Sequence, residues 1–78
     1  MDVEKAVFSL SQIFLKRIEE EIERMDQAGV LVNEELLTTF SFLLKKEMQK
    51  YEHLPTDLVD QAIDVAFKEI LKQRSVKH

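Results

Sequence analysis

An all-α chain, folded as a three-helix bundle, is expected from three features of these 78 residues. One Gly and one Pro leave almost no turn punctuation, in a composition that suits a few long helices rather than many short strands. Apolar residues recur at three- and four-residue spacing in three stretches, at about residues 3–28, 33–53 and 56–75. Residues that start or stop helices stand at the borders of those stretches: Asp2, Gly29, Asn33 and Thr56. The two connections are short, so neighbouring helices should pack antiparallel within one domain spanning residues 1–78.

Helix 1 opens at Asp2, a good N-cap, with Glu4 in the first turn where the helix dipole favours an anion. Val3, Val7, Leu10 and Phe14 form its stripe. Ala6 and Ile13 widen that stripe on one flank, Phe8 and Leu15 on the other, giving an apolar arc of roughly 200° where about 100° serves an ordinary surface helix. From Ile18 the helix becomes one-faced: Ile18, Ile22, Met25 and Ala28 continue the stripe, and Glu19, Glu20, Glu21 and Glu23 fill the other side. The first half therefore reads as a central packing element shared between subunits, and the second as a solvated arm. Gly29, the only Gly, follows the last stripe residue, the position of a left-handed helix stop, with Val30 placed to fold back on Met25.

Helix 2 has Asn33 as N-cap, Glu34 and Glu35 in its first turn, and Val32 and Leu37 at the spacing of a hydrophobic staple. Its stripe is Leu36, Leu37, Phe40, Leu43, Leu44, Met48 and Tyr51, and it should end near Glu52 or His53 because Pro55 biases the preceding residue out of the helical region. Phe42 points roughly 160–180° away from that stripe. Helix 3 takes Thr56 as N-cap, or Pro55 as its first residue, with Asp57 and Asp60 near its positive end. Its apolar positions form two rows, Leu58, Ala62, Ala66, Ile70 and Val59, Ile63, Phe67, Leu71, which favour inclined ridge-into-groove packing. Residues 74–78 should fray.

Composition narrows the function. A chain of this size buries only about 60% of its unfolded surface, and without Cys it has no disulfide or thiolate metal site to compensate. Its 45% hydrophobic content then points to oligomerisation as the remaining support, a homodimer through helix 1. The acids concentrate early, with nine acids against four bases in residues 1–35, opposite to the basic face of a nucleic-acid binder. Lys45, Lys46 and Lys50 are spread over about 140° of helix 2 and do not form one basic face. His53 and His78 are the only histidines, with no partner at triad or metal-ligand spacing, and no Glu-x-x-His pair is present. Neither an enzyme nor a cofactor or metal protein is expected. No stretch approaches the 18 apolar residues of a membrane span, and the Met-Asp-Val-Glu start lacks the features of a secretory signal. A cytoplasmic protein is expected.

The function that fits is a small protein-protein interaction module: a non-enzymatic regulator, adaptor or inhibitor that binds a larger protein and self-associates. Its interaction residues should be Phe8, Ile13, Leu15 and Phe42, and the run Glu19 to Glu23 is read as a solvated face before a docking surface for a basic partner. The alternative is a helix-turn-helix DNA-binding regulator built from helices 2 and 3. Against that stand Pro instead of Gly in the turn and Asp57 and Asp60 where a recognition helix meets phosphate.

Overall fold

The computed structural model describes residues 2–51, 53 and 55–75. Helix covers 83% of them, and no strand occurs among them. The chain is an all-α three-helix fold with α1 at Val3–Gln27, α2 at Glu34–Met48 and α3 at Thr56–Ser75.

The caps follow from the sequence. The Asp2 carboxylate accepts from the Glu4 and Lys5 amides at 3.1 and 3.4 Å. α1 stops in a Schellman motif: Gly29 adopts φ +79°, its N–H donates to the Asp26 carbonyl at 3.1 Å, and the Val30 N–H donates to the Met25 carbonyl at 2.9 Å. Asn33 Oδ1 accepts from the Leu36 amide at 2.8 Å, and the staple residues Val32 and Leu37 are both buried in the core.

Two ends differ from expectation. α2 stops at Met48, where Lys50 and Tyr51 N–H groups bond the carbonyls of Glu47 and Met48 in a tightened last turn. Tyr51, the next stripe position, is exposed, so nothing is left to bury that would hold another turn. At α3 the Pro55 carbonyl accepts from the Val59 amide at 3.1 Å, which makes Pro55 the cap residue and Thr56 the first helical one. Proline brings no N–H that a helix start would leave unsatisfied. Of the two residues at which helix 2 was expected to end, His53 lies in a turn, and Glu52, like residues 76–78 of the end expected to fray, lies outside the described residues. Arg74 is anchored, its Nη2 donating to the Val32 carbonyl at 3.2 Å.

Packing makes α3, not α1, the central element. α3 approaches both other helices closely, whereas no Cα of α1 comes within 8 Å of one in α2. The two rows of α3 serve the two neighbours. Ala66 lies with Ser11 and Leu15 of α1, and Ile70 with Ile22, so this small-residue row lets the α1 backbone come near. The bulkier row meets α2: Val59 beside Met48, Phe67 edge-on to Phe40 at 5.6 Å between ring centroids, and Leu71 beside Leu37. These pairings run in opposite chain directions for α2–α3 and in the same direction for α1–α3, which defines an up-down-up bundle. A Lys45–Asp64 ion pair adds to the α2–α3 contact.

The half of α1 expected to be a solvated arm holds Ile18 and Ile22, both buried, and faces both neighbours. The first half is the less covered one. At 15 residues α2 is about 22 Å long against about 37 Å for the 25 residues of α1, and Arg17 already lies opposite Glu47 near the end of α2. Val3, expected in the stripe, is exposed, and the buried face turns to include Ser11, whose hydroxyl donates to the Phe8 carbonyl at 2.6 Å.

Candidate interaction surface

The sequence-derived interaction residues fall on three separate faces. Phe8, 63% exposed, and half-buried Leu15 line a shallow cleft of about 310 Å³ against α3 with Ser11, Gln12, Val65, Ala66 and Glu69. Leu15 packs on the core from there, so it belongs to the fold as much as to any interface. Ile13, 66% exposed, lies about 140° round α1 from Ile18, on the flank that faces away from α3. Phe42, 67% exposed, stands alone on the outward face of α2.

A further feature sits where α1 and α2 splay apart. Met25 of α1 and Leu36, Phe40 and Leu43 of α2 line an apolar cleft of about 220 Å³, with Glu21 and Thr39 also contributing to its wall. Leu43 was expected in the buried stripe, yet it is 56% exposed. It lies about 120° round the helix from Leu37, and with α2 packed closely on α3 alone, that edge of the stripe opens into the cleft.

Charge around these surfaces is mixed. Glu21 pairs with Arg24, and Arg17 reaches Glu47 at 3.9 Å, both pairs being substantially exposed and worth little to stability. In the acidic run Glu19, Glu20 and Glu23 are exposed and Glu21 half-buried, and Glu19 and Glu23 line an open cleft of about 280 Å³ that also contains Arg74. Of the helix-2 lysines, Lys45 is engaged by Asp64. The antiparallel α2–α3 pair also differs from the roughly 90–120° crossing of a helix-turn-helix.

Among the described residues no three His, Asp or Glu side chains group as a metal site, and no helix is long and apolar enough to cross a membrane. No family model matches the chain, and neither the curated proteins nor the solved structures with which it was compared include a match.

Proposed function

We propose that this chain is a non-enzymatic interaction module of the cytoplasm, a regulator, adaptor or inhibitor that self-associates and binds a larger protein through its apolar faces. The observation that carries the reading is the set of large apolar side chains left exposed on ordered helices, Phe8 and Ile13 on α1 and Phe42 and Leu43 on α2. Single exposed apolar residues are ordinary, but an aromatic held on a rigid helix resembles the anchors that dominate binding hot spots. Division of labour fits the layout: the α1 flank and the α1–α2 cleft lie together, whereas Phe42 faces elsewhere and is free for a different protein.

The test is capture from an extract of the native cell, using wild-type protein and Phe42→Ala side by side. A protein retained by the wild type and lost by the variant, with helicity unchanged, supports the reading. Co-eluting DNA released at moderate salt would overturn it in favour of the DNA-binding alternative.

A further inference from the structure

In the α1–α2 cleft apolar side chains from two helices face each other across open space, and its flank has an order that is complementary to its own reverse. Reading along α1 on that side come Leu10 and Ile13, then the cation Arg17, then the anions Glu20 and Glu21, then Arg24, which pairs with Glu21 of its own chain, and Met25 at the cleft. We propose that the cleft is occupied by α1 of a second copy of this chain, laid antiparallel. Ile13 of each copy enters the cleft of the other beside Met25, and Arg17 of each copy faces Glu20 and Glu21 of the other. The inference rests on the self-association part of the proposed function and names its site and geometry.

Three arguments select this occupant. The first is area. A folded monomer of 9.2 kDa is expected to expose about 4,900 Å². This chain exposes 5962 Å². The excess, spread over the whole chain, is of the order of the roughly 800 Å² that each partner loses in a standard interface. Shape agrees, since the radius of gyration is 13.1 Å where a compact chain of this length has about 11.5 Å.

The second argument is charge. In the antiparallel register cation meets anion twice by symmetry, as an isologous interface requires. A parallel register would set Arg17 against Arg17 and the glutamates against themselves. Arg17 is available because its contact with Glu47 is long and both side chains are about half exposed. Arg24 falls beside Leu10 and Ile13 of the other copy, where its methylene stem packs while its charge stays in water.

The third argument is length. The first half of α1 overhangs the end of α2, so one copy offers the flank that α3 leaves open, with Ile13 exposed and Leu10 half-buried, at the level where the other offers an unfilled cleft. Each overhang fills the other copy's gap.

The absence of native Cys allows a direct test with Ile13→Cys and Met25→Cys, made as separate variants. Ile13 is exposed and Met25 only half-buried, so both substitutions leave the core in place. The wild type is expected to sediment as a dimer at tens of micromolar. Oxidising an equimolar mixture of the two variants should give a disulfide-linked heterodimer, and neither variant alone should cross-link comparably. In the proposed register like positions stand about 18 Å apart along the helices, beyond the roughly 7 Å Cα limit of a disulfide. Cross-linking of Ile13→Cys with itself, or a wild-type dimer in which the mixture gives no linkage, would overturn the antiparallel seating while leaving self-association standing. A wild type that stays monomeric at about 100 µM would overturn self-association itself, and this seating with it.

Discussion

Replacing Gly29 should destabilise the chain through its backbone alone. The residue sits at φ +79°, and a Cβ built there meets nothing within 4 Å, so an alanine fits in space. The remaining cost is intrinsic. An L-residue in the left-handed region loses about 1–2 kcal/mol, while the stiffer unfolded chain of an Ala variant returns about 0.4–1 kcal/mol, leaving a net loss near 1 kcal/mol. Valine, branched at Cβ, should lose more, and asparagine, which tolerates this region, less. For a domain of this size 1 kcal/mol lowers Tm by about 4–8 °C. Thermal and urea melts followed by circular dichroism, all at one protein concentration so that any association contributes equally, should rank the series Gly, Asn, Ala, Val. If Ala and Val both melt within about 1 °C of the wild type, the two hydrogen bonds of the helix stop contribute nothing that depends on Gly29, and the reasoning fails.

Other substitutions separate seam, cap and surface. Ala66→Leu should lose about 1–3 kcal/mol by overpacking the close α1–α3 seam, whereas Ser11→Ala should change stability by less than about 1 kcal/mol because the Phe8 carbonyl that it bonds is already a helix acceptor; comparable losses in urea melts would mean that the seam is not tight. Asn33→Ala should cost about 1 kcal/mol through the cap on the Leu36 amide, and unchanged amide exchange in the first turn of α2 would contradict that. Phe42→Ala should leave the melting curve nearly unchanged, given its exposure, while weakening capture of a protein partner by 1 kcal/mol or more, read as roughly fivefold or greater in Kd.

Local chemistry was legible in the sequence, and mutual arrangement was only partly so. Asp2, Gly29, Val32 and Asn33 act as their types and spacing require because a cap depends on a few neighbouring residues. The two rows of α3 were visible as rows, but what they signify, a small row for one partner and a bulky row for the other, depends on which helix lies across from each. The same limit explains α1. Hydrophobic width suggested that its first half was the centre of packing, yet coverage is decided by the length of α2, and that length depends on where burial ends after Met48. Ser11 escaped notice because a lone hydroxyl within an apolar stripe carries no hydrophobic signal, although its small size is what suits it to the seam. At the candidate surface, periodicity singled out Ile13 and Phe42, whereas the exposure of Leu43 follows from the splaying of α1 from α2.

The placement of α3 between two helices that do not closely approach each other has a consequence for synthesis. A ribosome releases α1 and α2 first, and at that stage the chain holds two amphipathic segments with no close backbone contact between them. Ile18, Ile22, Leu37 and Leu44 then have no lid, and the buried core cannot close until the Val59 to Ile70 stretch has emerged. Folding of this unit therefore waits for α3 rather than proceeding step by step along α1 and α2. A nascent chain stalled before α3 would present sticky, unpaired surface to whatever holds it, and a protease would be expected to cut such a chain readily while sparing one in which α3 has emerged and docked.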